Sequence, residues 1–214
     1  LREIKGCLFL LIAILWVGGL YGARPFSTDD AGTVEQSIYE LELGLDFWSG
    51  EARPGLGFKH GLTDRMDLGV GLGYTMAPEE EAGFENAELG LKFVMIPHLF
   101  AVSITGSFGL EAYMLNGIVT RTFGPLEVDG NFGYETAGTA SDVGGTITYA
   151  LALIFDAGQY AIGIEGVGEK DGLQTWLVGG RYNLFDGFAA DVGIYGGFGE
   201  DSEMAATIGI HYEF

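Results

Sequence analysis

The chain reads as all-β: a transmembrane antiparallel up-and-down β-barrel of twelve strands, preceded by a signal peptide. Three observations lead there. From Ser37 to Phe214 apolar and polar residues alternate almost without a break, and no stretch shows a convincing period of 3.6. The connections between the alternating runs are themselves alternately tight and long. Finally, 37 glycines and a formal charge of −20 coexist with a positive mean hydropathy of +0.25. Disorder needs low hydrophobicity beside such a charge, so that class is excluded.

The N-terminus forms a separate unit. Arg2 and Lys5 precede the apolar run CLFLLIAILWVGGLYGA, the charged start and apolar centre of a secretory leader, with cleavage expected after Ala23. As a retained anchor the run would sit near the lower length limit for a membrane span. Removing residues 1–23 leaves 8 basic and 29 acidic residues, a net charge of −21, and no cysteine, since Cys7 lies within the leader. That fits an oxidising compartment and excludes disulfide staples and thiolate metal sites. Residues 24–36 are expected as an N-terminal segment on the periplasmic side, either free or folded into the barrel mouth. The barrel itself spans 37–214.

The strands follow in order. The first sets Tyr39, Leu41, Leu43, Leu45 and Phe47 against Glu40, Glu42, Gly44 and Asp46. The second, near Leu56 to Leu62, is weaker in phase. The third alternates Met66, Leu68, Val70, Leu72 and Tyr74 with Asp67 and glycines, and the fourth sets Ala87, Leu89, Leu91 and Phe93 against Glu88, Gly90 and Lys92. After a weakly phased run from Ala112 to Phe123 come Leu126/Val128/Phe132/Tyr134, Ile147 to Phe155, Tyr160/Ile162/Ile164, Trp176/Val178/Tyr182 and Phe188 to Phe198. The last strand, ATIGIHYEF, ends on Phe214.

Soluble sandwiches alternate too, so the solvent is decided by other features. GLTDRM, IPH, FGP, DAGQ and FDG are tight, whereas TMAPEEEAGFE and ETAGTASDVG are longer and more polar, the asymmetry of short periplasmic turns and longer external loops. Aromatic residues fall at both ends of the strands: Tyr39, Phe100, Phe123, Phe155, Tyr182 and Tyr212 at one, Trp48, Tyr74, Tyr113, Phe132 and Trp176 at the other. Such rings settle at the two membrane interfaces. An even strand number puts both ends of the barrel on one side. An all-β span must close, so the final strand pairs with the first.

The stretch ARPFSTDDAGTVEQSIYELELGLDF, followed by HGLTDRMDLGVGLGY, resembles the outer-membrane proteins grouped under a meta-pathway phenol-degradation label. The RPFSTDDAGT element, the turn from Gly61 to Arg65 and the closing aromatic strand carry the resemblance, which extends over residues 24–214. It implies a channel-like or transporter-like barrel and, by association, small aromatic solutes. It brings no catalytic residues. A C-terminal strand ending in Phe214 also resembles the signal read by the barrel-assembly machinery of Gram-negative bacteria. The expected surroundings are outer-membrane lipid and lipopolysaccharide.

Twelve strands about 4.8 Å apart and tilted about 40° give a cylinder roughly 24 Å across. That size lies between barrels filled by side chains and aqueous channels. The inward face carries many small residues, including Gly44, Gly69, Gly71, Gly163, Gly179, Gly193, Ser103 and Thr105. They fit a partly open lumen, or the curvature that closed sheets need. Candidate lumen-lining residues are Glu40, Glu42, Asp46, Lys59, Asp67, Glu88, Lys92, Glu127, Asp129, Glu165, Arg181 and Asp191. Carboxylates outnumber bases there, which favours cations in a narrow passage. Alternatively Lys59, Lys92 and Arg181 pair with carboxylates and, together with the N-terminal segment, plug the lumen, making a closed structural or interaction barrel.

Other chemistries find little support. The loop acids Glu79, Glu80, Glu81, Glu85, Asp142, Glu169, Asp171, Glu200 and Asp201 have no ligand spacing and read as a solvated rim rather than a metal site. His60, His98 and His211 all fall toward the periplasmic side, away from the outer leaflet where barrel hydrolases work, so no enzyme is expected. GVGLGY lies inside a strand rather than before a helix, which removes a nucleotide reading. No cofactor is expected, and the basic footprint of a nucleic-acid binder is absent.

Overall fold

The computed structural model describes residues 24–214 except 49, 79, 81, 109–111, 137–143 and 200–201. The leader expected over residues 1–23 lies outside the described residues, as do Glu79, Glu81, Asp142, Glu200 and Asp201 of the expected acidic rim.

The described strands are β1 (Tyr39–Trp48), β2 (Glu51–Thr63), β3 (Met66–Thr75), β4 (Gly83–Phe84), β5 (Glu88–Ile96), β6 (Phe100–Ser107), β7 (Tyr113–Phe123), β8 (Leu126–Thr136), β9 (Gly145–Asp156), β10 (Tyr160–Glu169), β11 (Gly172–Phe185), β12 (Phe188–Gly197) and β13 (Met204–Glu213). Twelve of them form a closed antiparallel ring in which β1 pairs with β2 on one side and with β13 on the other. The exception is β4, a two-residue rung on the end of β3 inside the long β3–β5 connection, with Tyr74 opposite Phe84. It is too short for alternation to reveal. Pro54 of β2 pairs opposite Leu45, but the β2–β3 ladder begins only at Gly55, so its missing N–H leaves no gap on that side.

The period of two becomes two faces of one wall. At the closing seam Leu41, Leu43 and Leu45 stand opposite Tyr212, Ile210 and Ile208, while Glu42 and Asp46 stand opposite His211 and Thr207. The first set is on the outside. Leu43, Leu89, Ile104, Leu151, Ile164, Val178, Val192 and Ile208 belong to an exposed apolar band that continues around the ring. The second set is inside, and the buried residues are mostly polar or charged, the reverse of a soluble core. No helix among the described residues is long and apolar enough to cross a membrane. A closed ring with its backbone groups paired and its apolar side chains outward is the strand solution to that task. The chain is an integral outer-membrane barrel.

Five tight turns and both ends of the ring lie at one rim, called here the terminal rim; the far rim carries the long connections together with two-residue links between β1 and β2 and between β10 and β11. Tyr39 and Phe214 exchange backbone hydrogen bonds of 2.9 Å there. Rings continue along the terminal rim from Phe185 to Phe188 (4.9 Å), Tyr212 (5.9 Å), Phe214 (5.3 Å) and Tyr39 (5.7 Å), the girdle that the aromatic pattern predicts.

Of the two placements open to residues 24–36, free on the periplasmic side or folded into the barrel, the structure has the second. They run inside the barrel, from Arg24 at mid-height down to the terminal rim, where Ser37, at φ 69°, bends the chain into β1 and donates to Gly61 O at 2.9 Å. The wall is shaped to admit them. A Cβ on Gly163 would stand 2.7 Å from the Phe26 ring, one on Gly179 2.6 Å from Pro25, and one on Gly44 would overlap the Arg24 guanidinium. Ala31 is fully buried against Val94, Ala101 and Ile118, a small apolar patch on the inner wall. These glycines make room for the segment; the partly open lumen expected from them is filled here.

Candidate functional site

The lumen residues fall into three networks, each built where strand parity turns polar side chains inward. Nearest the terminal rim, Lys59 of β2 places Nζ 2.7 Å from Glu40 Oε1 and 3.8 Å from Glu42 Oε2, both on β1. His211 of β13 lies between Glu42 (3.4 Å) and Glu213 (3.1 Å). Arg181 of β11 reaches to 3.9 Å from Glu42. β1, β2, β11 and β13 thus pool their charges.

At mid-height the partner is the segment itself. Arg24 lies 3.5 Å from Asp46 Oδ1 and 3.7 Å from Asp191 Oδ1, and its Nη2 also donates to the Thr207 hydroxyl. Its carbonyl oxygen accepts from Arg181 at 2.9 Å.

Across the lumen, Lys92 of β5 binds Asp29 Oδ1 at 2.8 Å and the Asp30 carbonyl at 3.1 Å. The segment makes no ladder there, so its backbone donors go to wall side chains. Thr28 N–H donates to Glu165 (2.5 Å), Asp29 N–H to Asn131 (2.9 Å), Ala31 N–H to Thr120 (2.8 Å) and Val34 N–H to Asp67 (3.0 Å). Ser27 Oγ adds a bond of 2.7 Å to Glu165. Thr120 in turn donates to Asp129 at 2.5 Å. Irregular backbone at membrane depth needs such partners, because neither lipid nor a ladder supplies them.

Of the candidate lumen residues, Glu40, Glu42, Asp46, Lys59, Asp67, Lys92, Asp129, Glu165 and Asp191 are buried and Arg181 is partly exposed, all joined in these networks. Glu88 and Glu127 are partly exposed and form no ion pair among the described residues. Several network members were missed in the sequence: Asn116, Thr120, Asn131 and Thr207, and Arg24 as a lumen cation; Glu135 was missed as a buried lumen residue. Parity puts Glu135 inside, beside the outward Tyr134, but it opens a run that reads as loop.

Between the segment and the terminal rim is a polar vestibule of about 180 Å³ whose lining includes Asp30, Glu40, Lys59, Arg181, His211 and Glu213. Glu40, Glu42 and His211 bring possible ligand atoms within 4.8 Å of one another. The Lys59 ammonium, 2.7 Å from Glu40, already supplies the cation these carboxylates need, so the trio reads as an ion network.

No family model and no curated protein matches the chain. Among solved structures it is similar to an outer-membrane channel of the COG4313 group from Pseudomonas putida F1 (TM-score 0.65, 10% identity, 90% of this chain and 100% of that one). It is similar also to the KdgM porin (0.62, 14%, 82% and 99%) and to the outer-membrane phospholipase A of Escherichia coli (0.50, 13%, 83% and 92%). At these identities the likeness concerns the fold: an outer-membrane β-barrel shared by porins, channels and an enzyme.

Proposed function

We propose that the chain is a channel-like barrel for the passive passage of small solutes, held shut by residues 24–36. The observation that carries this reading is how the segment is held. The ring closes between β1 and β13 without it, and apart from a single backbone bridge from Gln36 to Gly61 at the rim and the packing of Ala31, the described bonds of the segment to the wall are side-chain bonds and ion pairs. It can therefore leave its seat without breaking a strand ladder, and the wall behind it is mostly polar, apart from the patch of Val94, Ala101 and Ile118 under Ala31. Small cations suit the excess of carboxylates. Small aromatic compounds are the solutes implied by the resemblance to the phenol-degradation group.

Hydrolysis fits less well. His60 faces Tyr39, His211 faces carboxylates, and no serine is hydrogen-bonded to a histidine among the described residues. A second reading, a permanently closed structural barrel, is favoured by the pairing of Lys59, Lys92 and Arg181 with acids or with the segment. Planar-bilayer recordings across a salt gradient separate the two, comparing the mature chain with one lacking residues 24–34. Steady cation-selective current on deletion supports the shut channel. Silence from a deletion variant verified as folded supports the closed barrel.

A further inference from the structure

The seat of Arg24 is one positive charge short. Asp46 and Asp191 are 3% and 5% exposed, and both are approached by the single guanidinium of Arg24. Arg181, the next base, is drawn to Glu42 and spends a donor on the Arg24 carbonyl. Asp46 Oδ2 and both oxygens of Asp191 are buried without a hydrogen bond. A buried carboxylate in that condition is costly, and native structures seldom leave it so.

The missing cation has an evident source. Cleavage after Ala23, expected from the leader pattern, hydrolyses the Ala23–Arg24 bond: one water is consumed, Ala23 gains a carboxylate and Arg24 an α-ammonium. A peptide nitrogen at Arg24 has no charge and one hydrogen; the ammonium has a full charge and three donors. Its position is constrained, because standard bond lengths keep a residue's nitrogen within about 4 Å of its own carbonyl oxygen, and that oxygen is pinned by Arg181. Asp191 stands opposite Arg181 in the β11–β12 ladder and also contacts the Arg24 side chain.

We propose that leader removal completes this seat: the new α-ammonium of Arg24 docks on Asp191 and Asp46 and adds its charge to the bonds that hold residues 24–36 in the lumen. The site is a receptor for the protein's own N-terminus, and its partner is a leader peptidase cutting before Arg24. The inference rests on the seat of the segment and not on conduction.

The test reads the amine, so a silent bilayer leaves it standing. The processed protein is purified from outer membranes, its first residue is fixed by intact mass, and its α-amine is acetylated with an amine-reactive ester in the folded barrel and in urea. Labelling is expected to be about tenfold slower in the folded barrel, since an opposite charge within hydrogen-bond reach holds the amine protonated. Asp191→Asn, or Asp46→Asn should the first fail to fold, restores most of the rate. A chain that begins at a residue other than Arg24 overturns the proposal. So does equal labelling folded and unfolded, or a folded Asp191→Asn barrel that labels as slowly as the parent.

Discussion

Lys92 Nζ lies 2.8 Å from Asp29 Oδ1, both side chains buried, and this ion pair ties the inner segment to a strand 63 residues away in the chain. Removing one member of a buried pair costs about 3–5 kcal/mol, because the other charge loses a partner it cannot replace with water. Asp29→Asn is therefore expected to loosen residues 24–36 while the ring, closed elsewhere, persists. Hydrogen exchange of residues 28–34 checks this: protection falls there and stays in β8 and β10.

Gly44 offers a gentler route to the same end. The three atoms nearest a Cβ at this position all belong to the Arg24 guanidinium, the far end of a flexible side chain. Gly44→Val should fold well, since a β-branched residue suits a strand, yet it displaces Arg24 from Asp46 and Asp191. Separating the guanidinium from them leaves two buried carboxylates without their cation, a loss of about 3–5 kcal/mol. The expected outcome is an unchanged heat-modifiable band on gels and a raised open probability in bilayers. A parental conductance would show that Arg24 does not hold the segment.

At the seam, Phe214 pairs by backbone with Tyr39 and stacks on both Tyr39 and Tyr212. Each aromatic pair contributes about 0.5–1.5 kcal/mol beyond burial. Deleting Phe214 also frees the end of the last strand. Refolding into vesicles is expected to slow and the urea midpoint to drop, whereas Phe214→Tyr restores both.

How much of this was legible in the sequence depends on how local the cause was. Glu40 and Glu42 were assigned to the lumen because Leu41 and Leu43 alternate with them; parity on one strand suffices. The ring closure followed from the need to pair β13. The path of residues 24–36 was not legible, because its partners are spread over the barrel: Glu165, Asn131, Thr120 and Thr207 lie between 89 and 183 residues from the atoms they bind. No period marks RPFSTDDAGT, and its hydroxyls, carboxylates and glycine are equally the composition of a loop. The wall glycines were visible, but with the path of the segment undecided, openness and curvature were the readings they suggested.

Ile164 and Glu165 are adjacent and face opposite solvents, which makes them a sharp test of the whole arrangement. Ile164 is exposed on the outer wall at mid-height, while Glu165 is buried inside and accepts from Ser27 and Thr28. Arginine on a lipid-facing position near the bilayer midplane costs about 2–4 kcal/mol, so Ile164→Arg should lower barrel stability in vesicles by that amount and leave residues 24–36 protected in any barrel that forms. Glu165→Gln should do the reverse. The amide still fits the lumen, but it replaces charged acceptors for Ser27 and Thr28 with a neutral carbonyl, and a hydrogen bond to a charged group is worth about 1.5–3 kcal/mol against about 1 for a neutral one. Urea titration of the ring and hydrogen exchange of the segment measure the two effects separately. If Ile164→Arg is silent and Glu165→Gln unfolds the ring, the inside and outside of the wall have been assigned the wrong way round.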